Sequence, residues 1–141
     1  RLFLGFALDD ATQQQLQNLV SRQLLNACSA AVRWVPIVNW HITALFLGNV
    51  TAQQQQQLCM LLTQQPLPSV MLTLDQFTWW QGPQVFCLSG EVTEPWQNLL
   101  RILQQLSRQC GIRYASNDGI AHITLARKVQ QPLPRLQGLA T

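Results

Sequence analysis

The chain contains two histidines, and both open the same tripeptide, His41-Ile42-Thr43 and His122-Ile123-Thr124. Each sits in a short run rich in apolar and β-branched residues, His41 to Leu47 and Ile120 to Ala126, which reads as a β-strand. Side chains alternate across a strand, so each tripeptide sets an imidazole and a hydroxyl on one face and turns its isoleucine to the other. Ile42, Ala44 and Phe46 are then expected to fill a core behind the first pair, and Ile123 and Leu125 behind the second. By average usage a given histidine precedes Ile-Thr roughly once in a few hundred cases, so the repetition is not a matter of chance. Any fold of this chain must house two such strands, each polar on one side and apolar on the other.

The surrounding pattern supplies the other elements. Leu2 to Leu8 is an apolar run expected to form a strand buried on both faces. Asp9, Asp10 and Thr12 offer caps for a helix through about residue 28, with Leu16, Leu19, Val20 and Leu24 as its apolar stripe. Arg33 to Val38 reads as an extended segment broken by Pro36. Thr51, with Gln54 three residues on, has the form of a capping box opening a second helix, striped by Leu58, Leu61 and Leu62 and ended by Pro66 and Pro68. Val70 to Trp80 and Val85 to Gly90 read as two strands joined by a tight turn at residues 81–84. Thr93, Glu94 and Pro95 open a third helix that stops at Gly111, and Asn117-Asp118-Gly119 is a turn signal. A helix therefore precedes each histidine strand, which predicts an α+β fold made by duplication: two lobes, with antiparallel sheets lining a central cleft and helices on the outer faces. Residues 1–141 are expected to form a single two-lobed domain. The tail from Gln130 to Thr141 carries Pro132, Pro134 and Gly138 and no element, so the chain is expected to lack further C-terminal strands.

Composition narrows the class. With 48% hydrophobic and 11% charged residues the chain has the makings of a packed core, and its polar positions are filled largely by glutamine, as in Gln53 to Gln57. A net charge of +3 suits an anionic ligand but not the strongly basic stripe of a duplex binder. The four cysteines, Cys28, Cys59, Cys87 and Cys110, form no C-x-x-C pair and fall in apolar patterns, so they read as buried free thiols of a reducing compartment. No secretory signal opens the sequence, and no apolar run reaches the ~18 residues of a membrane span. A cytoplasmic protein with no membrane partner is expected.

Two imidazoles suit phosphoryl transfer. One can accept a proton while the other donates one, and the threonine hydroxyls can bond non-bridging phosphate oxygens. Hydrolysis of a cyclic phosphodiester needs an activated water on one side of phosphorus and a protonated leaving oxygen on the other. Two histidines are too few for a zinc site, none of the six acids shares a motif with either, and no nucleophile elbow is present. The expectation is a site without metal or cofactor. Trp34, Trp40, Trp79, Trp80 and Trp96 are read as packing residues more than as a base-stacking platform, and Arg33, Arg113, Lys128 and Arg135 as isolated surface cations.

The extended motifs Trp40-His41-Ile42-Thr43-Ala44-Leu45-Phe46-Leu47-Gly48-Asn49-Val50 and Ala121-His122-Ile123-Thr124-Leu125-Ala126-Arg127, with the opening Arg1-Leu2-Phe3-Leu4-Gly5-Phe6, resemble the two-histidine phosphoesterase superfamily. Within it the chain is similar to the bacterial RNA 2′,3′-cyclic phosphodiesterases, also called 2′-5′ RNA ligases. The resemblance implies an enzyme that opens 2′,3′-cyclic phosphates on RNA ends or nucleotides to 2′-phosphates, and that works as a monomer. It makes His41 the proton donor, His122 the proton acceptor, and Thr43, Thr124 and Arg127 the phosphate-binding residues. Arg127 lies five residues after His122, so it reaches the histidine face only if the strand ends or bulges there. Reversible 2′-5′ ligation is an alternative within the same chemistry, and a non-catalytic RNA-end binding module is one from another class. A binding module would not need two proton-transfer groups.

Overall fold

The computed structural model describes residues 1–23, 32–115 and 119–130. The elements are β1 (Leu2–Ala7), α1 (Asp10–Gln23), β2 (Arg33–Trp34), a 3-10 turn (Ile37–Asn39), β3 (His41–Gly48), α2 (Ala52–Gln64), β4 (Gln76–Trp80), β5 (Val85–Ser89), α3 (Glu94–Gln109) and β6 (His122–Arg127). The class is α+β. One sheet runs in the order β1-β3-β6-β5-β4, and β2 pairs with β6 beside that path. No described helix is long and apolar enough to cross a membrane.

The chain divides into two compact units. The first holds Arg1–Gly5, Thr43–Thr73 and Glu91–Ala121. In it Thr51 accepts from the Gln54 backbone N–H at 3.1 Å, and the Gln54 side chain accepts the Thr51 N–H at 3.0 Å. This capping box satisfies two donors that the first turn of α2 would otherwise leave open. On α3, Trp96, Leu99, Leu100, Leu103 and Leu106 return at helical spacing and are all buried. Gly111 ends that helix at φ +69, where a residue without Cβ carries no penalty, and its carbonyl accepts from Gln54 Nε2 at 3.1 Å.

The second unit holds Phe6–Ile42, Leu74–Gly90 and His122–Thr141. Asp9 caps α1 through the Thr12 N–H at 2.7 Å, and Leu16 and Val20 are buried on that helix. β4 and β5 form a hairpin, with Trp80 opposite Val85 and Gln76 opposite Ser89. β6 lies beside β5, and its exit is clasped. Lys128 adopts φ 58, after which the Val129 N–H donates to the Gln84 carbonyl at 2.8 Å and the Val129 carbonyl accepts from Trp79 Nε1 at 2.7 Å.

Several expectations are corrected. β1 is not buried on both faces: it is an edge strand, and Phe3 and Phe6 are 47% and 37% exposed. The strand expected from Val70 begins only at Gln76; residues 70–75 alternate half-buried and exposed as a strand would, but are not part of one, although the Asp75 N–H donates to the Ser89 carbonyl of β5 at 3.0 Å. Cys59 is exposed, because its position on α2 falls outside the buried stripe. Cys59, Cys87 and Cys110 are free thiols. Leu24, Cys28, Asn117, Asp118, Arg135 and the tail beyond Gln130 lie outside the described residues.

Replacing the α2 cap, Thr51→Ala, is expected to cost about 1 kcal/mol of stability, read as a lower urea midpoint at an unchanged denaturant slope.

Candidate active site

β3 and β6 are antiparallel neighbours, and their register places Ile42 directly opposite Ile123. These are the central residues of the two tripeptides. An antiparallel pair has a local twofold axis at each pairing point, so this register relates one tripeptide to the other and sets His41 across from Thr124. The division of the chain into units falls within these segments, after Ile42 and before His122. His41, His122, Thr124 and Arg127 thus belong to the second unit; Thr43 is counted with the first and follows His41 two residues along the same strand. Both isoleucines are buried, while His41, Thr43, His122 and Thr124 are half-buried.

Both strands carry one burial pattern through their first six residues: half-buried, buried, half-buried, buried, buried, exposed. Two inward residues in succession mean that the alternation changes phase after the threonine. On β6 the cause is visible in the pairing with β5. Cys87 faces Thr124 and Phe86 faces Ala126, so Leu125 is an extra residue, a β-bulge. Leu125 and Ala126 are both fully buried, and Arg127 is returned to the outer face with His122 and Thr124. The same shift on β3 corrects the expectation for Phe46. Leu45 fills the core in its place, and Phe46 is 56% exposed, its ring centroid 6.3 Å from that of Phe3.

Each imidazole has a partner that the sequence did not reveal. His41 Nδ1 lies 2.7 Å from the Asn39 carbonyl oxygen. A carbonyl only accepts, so Nδ1 carries the proton. The short turn Ile37–Asn39 just before β3 brings that carbonyl under the ring. His122 meets Trp80 edge to face, with centroids 4.7 Å apart and planes at 78°. Trp80 comes from the neighbouring hairpin, one strand beyond β5, a proximity that only the β4-β5-β6 order creates.

Opposite Thr124 on β5 stands Cys87, whose Sγ is 3.8 Å from Thr124 Oγ1. Burial pushes the thiol up to about 11, against smaller opposing effects from the Thr124 hydroxyl and the positive charge of Arg127. Ser89, opposite His122 on β5, is buried and shares a 2.8 Å hydrogen bond with Thr78. Among the described residues no group of three or more His, Cys, Asp or Glu side chains is placed to hold a metal ion. An open groove of about 710 Å³ in the first unit is lined by Phe46, Asn49, Gln54, Arg113 and Tyr114, among others, and includes none of the sequence-derived site residues.

The family model for LigT-like phosphoesterases matches residues 6–87, more than half of the chain. The chain belongs to the LigT-like phosphoesterase family. The matched span includes the first tripeptide and ends before the second. No curated protein matches the chain. Solved structures do. One titled a phosphoesterase is 26% identical with a TM-score of 0.78, the match covering 96% of this chain and 79% of that one. LigT of E. coli complexed with 3′-AMP is 28% identical with a TM-score of 0.74, covering 96% and 79%. The same protein complexed with phosphate is 27% identical with a TM-score of 0.70, covering 97% and 78%.

The buried thiol gives a direct check on this geometry. In the native protein iodoacetamide is expected to label the exposed Cys59 and to spare Cys87 up to about pH 9, where it remains a protonated thiol. Mass spectrometry of the alkylated peptides reads the outcome. Equal labelling of the two would contradict the burial of Cys87 beside Thr124.

Proposed function

We propose that this LigT-like phosphoesterase hydrolyses 2′,3′-cyclic phosphates at RNA ends to 2′-phosphates without a metal ion. The observation that carries the reading is the register of Ile42 on Ile123, which sets His41 across from Thr124 on the neighbouring strand. The nucleotide and phosphate complexes of E. coli LigT support a site for a nucleotide phosphate on the same fold.

In this mechanism His122 accepts a proton from water as its oxygen bonds to phosphorus. The bond from phosphorus to the 3′-oxygen breaks, and His41 delivers a proton from Nε2 to that oxygen. Its Nδ1–H remains on the Asn39 carbonyl, which holds the ring in place in both charge states. Thr43 and Thr124 donate to the non-bridging oxygens, and Arg127 balances the charge that builds on phosphorus. The product keeps its phosphate on the 2′-oxygen. Trp80 fixes the plane of His122 and thereby the direction from which water is drawn.

An oligonucleotide ending in a 2′,3′-cyclic phosphate, incubated with the protein in EDTA, is expected to yield the 2′-phosphate. His41→Ala and His122→Ala should each lower the rate by about 10²–10⁴. The rate should pass through a maximum with pH, and each substitution should remove one limb of that profile. A 3′-phosphate product, or full activity in both variants, would sink the assignment.

A further inference from the structure

β2 is only two residues long, but its register on β6 is informative: Arg33 stands directly opposite Arg127, and Trp34 opposite Ala126. Directly opposed residues of an antiparallel pair project from the same face with Cα atoms about 4.5–5.5 Å apart. Both arginines are exposed, and neither meets a carboxylate among the described residues. Like charges so placed repel one another. Beyond them Lys128 takes up the left-handed conformation, and Val129 is held by Gln84 and Trp79, so the strand is fixed on the far side of the pair as well. A sheet that builds and clamps two unpaired guanidiniums side by side is arranged for an anion from outside.

The position of the pair relative to the histidines says which anion. The Ile42–Ile123 register sets His41 across from Thr124, while Arg33 is set across from Arg127, three residues further along β6. At about 3.3 Å per residue, Arg33 is ~10 Å beyond His41 on the same side of β6. A cyclic phosphate carries one negative charge, and the two threonines with Arg127 suffice to hold it. A second guanidinium one strand-step outward fits a second phosphate, one nucleotide away.

We infer that Arg33, paired with Arg127, binds the phosphodiester adjoining the terminal nucleotide and so selects RNA chains with a cyclic phosphate end over cyclic mononucleotides. The inference rests on the function proposed above and adds a substrate preference to it. Arg33 is exposed and its backbone ladder does not depend on its side chain, so Arg33→Gln preserves the fold.

The test compares a cyclic-phosphate-ended oligonucleotide with a nucleoside 2′,3′-cyclic phosphate as substrates. In Arg33→Gln the ratio of kcat/KM for the oligonucleotide to that for the mononucleotide should fall about tenfold, through the oligonucleotide KM rather than its kcat. The salt dependence of that KM should become shallower by about one phosphate contact, and Arg33→Lys should recover part of both. Equal losses on the two substrates would place Arg33 at the scissile phosphate and overturn the inference, as would no change on either. If the wild-type protein turns over neither substrate, the proposed function fails by itself. Binding of a fluorescent 2′-phosphate-ended oligonucleotide then decides Arg33, with weaker binding in Arg33→Gln supporting the site and equal binding refuting it.

Discussion

The pairing of Ile42 with Ile123 is the constraint from which the placement of His41 and Thr124 on neighbouring strands follows. Because the side-chain period of a strand is two, a slip of one residue between β3 and β6 would exchange the faces against which the tripeptides are matched. The two isoleucines, both buried, oppose that slip, since it would expose apolar surface and bury imidazoles together. One hydrophobic contact thus sets the stereochemistry of several polar groups. The arrangement also has economy of another kind, for a local twofold relation makes the environment of one tripeptide a template for the other.

Much of this was legible in the amino-acid sequence, and the parts that were not share a cause. The helices α2 and α3 follow from local signals, Thr51 with Gln54 at one start and Pro95 and Gly111 at the ends of the other, and those signals act within a turn or two. The histidine strands follow from their apolar alternation. What local pattern could not give was anything decided by a neighbouring strand. Leu2 to Ala7 is apolar enough for a central strand yet lies at an edge, and residues 70–75 alternate correctly but stand outside the strand that begins at Gln76. Trp80 and the Asn39 carbonyl reach the histidines only through the sheet order and through a turn whose path is set by tertiary packing. The bulge is an intermediate case. In both strands the threonine is followed by two apolar residues, Ala44-Leu45 and Leu125-Ala126, a doublet that strict alternation cannot bury on one side.

The residue that follows this doublet differs between the two strands. After the doublet the first strand presents Phe46 on the outer face and the second presents Arg127. The same burial pattern therefore exposes an aromatic ring on one strand and a cation on the other. Arg33, an isolated cation in the linear sequence, acquires its meaning in the same way, from the strand that β6 places opposite it.

Cys87 carries a consequence for the redox behaviour of the protein. Oxidants attack the thiolate, and attack requires access. The Cys87 thiol is buried and keeps its proton at physiological pH, although it lies against a hydroxyl of the site. Peroxide would instead encounter Cys59, exposed on α2 and remote in sequence from both histidine strands. A sulfur atom placed beside Thr124 is thereby kept chemically silent, serving as a small apolar filler where a sulfenic acid would disturb the Thr124 hydroxyl.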